Sequence, residues 1–419
     1  MTTRPKAIRQ SIFTIVAKAD AARASDLETH LAAIENSLMQ QSALPFTAIE
    51  TLHFCSITVF HDPDLGPYLV FEQNVDGTPN EHIETLCNLA APALHTIYGF
   101  CPDYGAPGAV DPEYLRRYLS QHIVGARTAY IGNVGRSAKR VRDEASLVTE
   151  IGDFLDRLAA PDEATPDTIV AAVRDFVRSD VRWRWVWSVP PRIALRERVR
   201  RWSALSGVVA LLLTQIVQVA IFLIVLRRRE RTDPVHIPGP PPEQLQQLAA
   251  REDREVQNHM ASLCYVKPGA LRRRTLKCVL ALANIVSRVS TNGKLLGLDS
   301  LHFAHWALVN DDTRMLFLTN YDGSWENYLD DFIDKAHLGL TAIWSNTLNF
   351  PRTRFLAFGG ATDERKFKAI ARTTQAYTNV WYSAYPSLTV PAIQNNSAIC
   401  DGLSQLQSQS DAAAWLRRF

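Results

Sequence analysis

The chain has 419 residues, 47% of them hydrophobic and 21% charged, which excludes a disordered protein and suggests about three domains. A formal net charge of +2 argues against a dedicated nucleic-acid binder, which needs a concentrated basic face for the phosphate backbone. Six cysteines without metal-ligand spacing read as reduced, which favours a cytoplasmic setting.

The β-branched run Ser11 to Ala17 predicts the first strand, and Ser25 to Met39 a helix. Strands over Thr51 to Phe60 and Tyr68 to Gln73 follow. Asn74-Val75-Asp76-Gly77 then turns the chain into a helix over Thr78 to Ala90. Thr78, Pro79 and Glu81 supply a hydroxyl cap, a proline where no amide hydrogen is needed, and a capping-box glutamate. Thr128 to Val134 closes residues 1–136 as strand, helix, strand, strand, helix, strand, the split βαβ unit.

A connector, 137–202, opens with charged helices over Ser137 to Leu158 and Thr168 to Arg178 and ends in VRWRWVW, Val181 to Trp187. Tryptophans alternating with arginine and valine suit a bilayer's headgroup layer, while an edge strand is the plainer reading. Ser203 to Leu226 carries no charge, and as a helix it would reach about 36 Å, enough to cross a hydrocarbon core. Its residues Ser203, Gly207, Ala210, Thr214 and Gln218 share one face, a stripe suited to close helix contact in a membrane. Arginines flank both ends, so it either spans or lies in one leaflet. The Pro-rich linker 227–250 then sets off a second unit, 251–387.

That unit repeats the first, with elements over His259 to Val266, Ala270 to Val286, Ser300 to Val309, Arg314 to Thr319, Ser324 to Ala336 and Thr353 to Phe358. Leu-His-Phe opens a strand at both His53 and His302, and Asn-x-Asp-Gly recurs at Asn320 to Gly323. Lys18 and Lys267 each stand 35 residues before those histidines, and Arg127-Thr128 and Arg352-Thr353 precede the closing strands. Shared landmarks in one order indicate duplication. A helical tail, 388–419, completes the chain. The expected fold class is α+β: two tandem ferredoxin-like (βαββαβ) units, plus one membrane-associated apolar helix between them. Both faces of the Leu-His-Phe strands are apolar, so each sheet is expected to cover the other.

Asp76 and Asp322, at strand-to-helix corners, are the acid-base candidates, with Asn74, Asn320 and Arg352 beside them as candidate polar and anion-binding groups. His53 and His302 hold equivalent strand positions where an imidazole could ligate iron or move protons. Each has a bland reading beside it: a turn for Asn-x-Asp-Gly, a satisfied core histidine for the other two. No Walker loop, GxGxxG, GxSxG or HExxH stands in a supporting context.

Two ferredoxin-like units in tandem resemble the dimeric α+β barrel superfamily, and the duplication is similar to that of the dye-decolourising peroxidases. Their GxxDG motif is matched in its Asp and last Gly by Asp76-Gly77 and Asp322-Gly323, while Gln73 and Thr319 stand where the first Gly would be. FPRTRF and VWYSAYP also resemble an uncharacterised bacterial membrane-associated family. The resemblance implies haem held by His302 or His53, and an oxidoreductase of peroxidase or monooxygenase type on an apolar or lipid-like substrate between the sheets. The competing expectation is a non-catalytic membrane scaffold or lipid-binding protein. The expected partners are a lipid bilayer, a second copy of the chain and an apolar small molecule, not nucleic acid, with the repeats on the cytoplasmic side.

Overall fold

The structure is a computed structural model that describes residues 8–38, 44–105, 108–158, 165–187, 203, 206, 216–234, 239–253, 255–289, 297–405 and 409–419. Its strands are β1 (Gln10–Lys18), β2 (Leu52–Asp62), β3 (Gly66–Asp76), β4 (Ile123–Gly125), β5 (Thr128–Ile131), β6 (Gln257–Tyr265), β7 (Leu301–Val309), β8 (Arg314–Asp322), β9 (Thr353–Arg354), β10 (Phe358–Gly359), β11 (Gln375–Ala376) and β12 (Thr378–Ser383). The helices are α1 (Ala24–Ser37), α2 (Pro79–Tyr98), α3 (Pro112–Gln121), α4 (Ala138–Arg157), α5 (Pro166–Ser179), α6 (Ile216–Thr232), α7 (Pro242–Ala249), α8 (Ala270–Val289), α9 (Trp325–Trp344), α10 (Glu364–Thr374), α11 (Val390–Gln405) and α12 (Gln409–Leu416).

Two five-stranded antiparallel sheets form the frame, in the orders β12-β2-β3-β1-β4 and β11-β6-β8-β7-β5. Within each copy the fourth strand lies beside the first, then the third and second, the order of the split βαβ unit. Outer faces pack on helices: Phe13, Ile57 and Phe71 meet Leu27, Ile83 and Leu94 in one core, and Met260, Trp306 and Phe317 meet Leu276, Leu329 and Phe332 in the other. Inner faces meet through Phe60, Val70, Leu263, Ala307, Leu316 and Leu318. Each sheet thus removes the other's apolar face from water.

The last strand of each copy departs from the sequence expectation. β4 pairs with β1 in its own sheet, but β5 pairs with β7 of the other, and β11 and β12 cross the opposite way from β6 to β2. Both sheet edges are thereby stitched, which leaves few unpaired edges to recruit another chain. Thr128 faces Trp306 and Val380 faces Ile57, four residues after His302 and His53 respectively, so Val380, not Thr353, is the counterpart of Thr128. Thr353–Arg354 instead pairs with Phe358–Gly359 in a small separate hairpin. The lysine landmark is also displaced: Tyr265 occupies the place of Lys18, and Lys267, two residues on, donates to Asp233 at 2.8 Å.

The membrane helix is a correction to the expected fold class. α6 has 17 residues, Arg227, Arg228, Arg229 and Arg231 occupy its second half, and no helix of the described residues is long and apolar enough to cross a membrane. Residues 204–205 and 207–215 of the expected span lie outside the described residues. Val181–Trp187 is not an edge strand but a 3-10 turn whose Trp183 and Val186 are buried against Ile399, Leu403 and Trp415. Its arginine partners stack on the rings, with Arg140 3.6 Å from the Trp185 centroid.

Candidate functional site

A β-bulge builds the site twice. In β2 the pairing skips from Leu52–Val75 to Phe54–Asn74, and in β7 from Leu301–Tyr321 to Phe303–Asn320. The extra residue is the histidine in each case, so histidine and the following phenylalanine both face the inter-sheet layer instead of alternating. His53 lies 5.2 Å from Phe303, and His302 lies 5.2 Å from Phe54. The four rings therefore face one another in pairs.

Asp76 and Asp322 close the ends of β3 and β8, where Gly77 (φ 90°) and Gly323 (φ 79°) permit the turn into the next helix. Asp76 Oδ1 lies 3.0 Å from His53 Nε2, and its Oδ2 accepts the Ala138 amide at 2.8 Å, in the first turn of α4. Asp322 repeats this with His302 Nε2 at 2.7 Å and the Val390 amide of α11 at 2.7 Å. A carboxylate at a helix N-terminus satisfies an orphan donor and complements the helix dipole. Each aspartate thus ties a sheet strand to the helix that follows the crossing strand.

Tyr385 completes the first copy's chain, its hydroxyl 2.8 Å from His53 Nδ1. Burial, with the Asp76 charge nearby, pushes the phenol well above its ordinary pKa and keeps it protonated; with the Asp76 carboxylate accepting from Nε2–H, Nδ1 is the ring's acceptor and the phenol donates to it. His302 has no such partner among the described residues, where its buried Nδ1 makes no hydrogen bond. Gln257 Nε2, 3.3 Å from His302 Nε2, donates to the carbonyls of Tyr385 (3.1 Å) and Leu388 (2.5 Å). Asn320 Oδ1 accepts from Trp381 Nε1 at 2.9 Å, whereas neither amide atom of the fully buried Asn74 is bonded among the described residues.

Further along the same layer lies a cluster that sequence reasoning missed. Glu72, fully buried, has Oε2 2.9 Å from His259 Nε2 and accepting from Ser56 Oγ at 3.1 Å, and Oε1 3.3 Å from His305 Nδ1, at ion-pair distance but poorly aligned for a hydrogen bond. His305 Nε2 in turn lies 2.8 Å from Thr14 Oγ1, and His259 Nδ1 lies 2.9 Å from Thr378 Oγ1. Burial alone would raise the Glu72 pKa; the hydrogen bond from His259 and the pull of both imidazoles outweigh it and hold the carboxyl far below the usual range. One signal was available in the sequence: Glu72 is the sole charge in the apolar run Tyr68 to Gln73. A charge placed in a buried strand needs a partner on another element.

No family model, no characterised protein and no solved structure matches this chain.

The residues do not fit haem. Both nitrogens of His53 are engaged, and Phe54, Phe303 and Tyr385 fill the space against His53 and His302. No group of His, Cys, Asp and Glu among the described residues is arranged to hold a metal ion. Arg352 is exposed beside the β9–β10 hairpin and is not part of the inter-sheet layer. A cleft of 710 Å³ opens instead at the β6–β12 seam, lined by Gln257, His259, Trp381 and Ser383 together with Glu35 and Arg251.

Proposed function

We propose that this chain is a paired-repeat binding protein, in which the duplicated acid-base residues lock the two sheets together and the seam cleft takes a small-molecule ligand. One observation carries this reading: both oxygens of Asp76 and of Asp322 are already committed, to a histidine and to a helix amide. A general base must be within reach of a substrate proton, and these carboxylates face protein donors. The cleft offers a pocket of the size usual for small ligands, with Trp381 and Tyr382 as apolar surface and the partly exposed Glu35 and Arg251 as polar groups at its edge. Under this reading the likeness to the dimeric α+β barrel superfamily concerns architecture and not haem chemistry.

The oxidoreductase reading survives in cofactor-free form, favoured by the unpartnered Nδ1 of buried His302. Haemin titration and peroxide- or oxygen-dependent turnover of apolar dyes test the choice, with Asp322→Asn alongside. The expected result is no ligated-haem spectrum, no turnover, and a lower unfolding midpoint for the variant. Turnover that Asp322→Asn abolishes at unchanged stability would overturn the binding-protein reading.

A further inference from the structure

One surface remains that neither the paired sheets nor the cleft accounts for. α6 presents Ile221, Ile224 and Val225 to solvent at 57%, 56% and 40% exposure, while Leu226 and Glu230 are buried on its other side. Beside it the β9–β10 hairpin exposes Phe355 and Phe358 at 41% and 56%. The helix and hairpin are held rigidly together: Glu230 accepts from Thr353 Oγ1 at 2.9 Å, the Phe355 amide at 2.9 Å and the Leu356 amide at 3.0 Å. Those three bonds also hold Phe355 and Leu356 at φ 58°, a left-handed conformation that non-glycine residues adopt only under constraint.

Charge on this face is one-sided. Glu230 and Asp233 turn inward, the latter to Lys267 and Arg272. Arg228, Arg229, Arg231, Arg352 and Arg354 are exposed, and none has a carboxylate partner among the described residues. The Arg227 and Arg354 guanidiniums lie 6.0 Å and 5.1 Å from the ring centroids of Phe355 and Phe358. We propose that this α6–hairpin face docks on an anionic lipid surface, with Ile221, Ile224, Phe355 and Phe358 entering the acyl boundary and the arginines meeting headgroup phosphates. Apolar residues rimmed by cations on one rigid surface are what an interfacial element needs. Exposed aliphatic side chains have no use against a nucleic-acid backbone, which favours lipid over that partner. The docking is peripheral, because Leu226 and Glu230 anchor the helix to protein.

Co-sedimentation of the full chain with phosphatidylglycerol/phosphatidylcholine vesicles, and with phosphatidylcholine alone, tests it. Binding should require the anionic lipid and weaken as salt rises. Arg228→Glu with Arg229→Glu should weaken it by about 25-fold or more, given roughly fivefold for each basic residue at an anionic surface. Phe355→Asn with Phe358→Ser should weaken it by about tenfold, asparagine being chosen because it tolerates positive φ. Thermal melting checks that each variant folds; should the hairpin variant not, Ile221→Ser with Ile224→Ser reads the same face. Equal binding to neutral vesicles, binding unchanged in these variants, or tighter binding to duplex DNA at equal salt would each overturn the proposal.

Discussion

The two copies share a backbone plan but not the side chains that stiffen it. Where the first copy places His82 on Gln73 (2.8 Å), the second places Tyr328 opposite Thr319 (3.3 Å). Where the first gives His53 a phenol partner, the second gives His302 Nδ1 none among the described residues. The carboxylate of the inter-sheet cluster, Glu72, has Leu318 as its counterpart, and the histidines His259 and His305 have Ile12 and Ser56. Backbone register and turn chemistry were preserved after duplication, while the buried polar groups became complementary between copies. That complementarity makes this particular pairing specific.

The largest effect should come from that cluster. Glu72→Leu leaves two buried imidazoles without their carboxylate and should cost about 3–5 kcal/mol, read as a lower urea midpoint. Adding His259→Ile and His305→Ser, the residues the partner copy already uses, should recover most of the loss. If the triple variant is no more stable than Glu72→Leu alone, the cluster does more than satisfy itself.

pH separates the copies next. Burial lowers the His82 pKa to about 4, so the fold holds the neutral ring. The unfolded chain binds a proton near 6.5, so this contribution is complete above that pH and is lost as pH falls through about 4, amounting to about 3 kcal/mol. Gln73→Thr with His82→Tyr imports the second copy's pair and should flatten stability between those pH values. Glu72, whose carboxyl is also depressed, loses its contribution only in the more acidic range, below the ordinary glutamate value.

How much of this was legible follows from which interactions are local. Thr78 and Glu81 form their capping box, with the Thr78 amide donating to Glu81 at 2.8 Å, because every partner lies within one turn. The Leu-His-Phe and Asn-x-Asp-Gly words located both bulged strands and both corners for the same reason. The lysine landmark misled because identical spacing in sequence does not fix register once an intervening loop differs in length, and the Arg-Thr word misled because Thr353 lies well before Val380, the residue that occupies the place of Thr128. The crossing strands were hidden, since β5 looks like any strand and only its long-range pairing with β7 shows which sheet it joins. Glu72, His259 and His305 meet across 187 and 233 positions of chain, and no local pattern encodes that.

The aspartates give a smaller, matched pair of effects. Asp76→Asn and Asp322→Asn each keep an acceptor but remove the charge at a helix N-terminus and weaken the histidine bond, so each should cost about 1–3 kcal/mol in thermal or urea unfolding. Similar losses fit two equivalent corners; a markedly larger loss at Asp322 would mark the second corner as the one under additional strain.

Tyr385→Phe should give the smallest measurable change, about 1 kcal/mol, because it removes one buried hydrogen bond and leaves the ring packing against Phe54 intact. Its counterpart is Asn133: the Ala384 amide donates to the His53 carbonyl at 2.9 Å, the Gly132 amide to the His302 carbonyl at 2.7 Å, and Tyr385 and Asn133 come next in each chain segment. Asn133→Ala should therefore stay within about 0.5 kcal/mol, since His302 takes nothing from it. The stronger test is the histidine tautomer, read from the ring nitrogen shifts in NMR. Tyr385→Phe frees His53 Nδ1 and should make its environment resemble that of His302, whereas Asn133→Ala should leave both unchanged. Should His53 keep its wild-type Nδ1 signature without the phenol, the asymmetry between the two corners would have to arise from the packing around them and not from this hydroxyl.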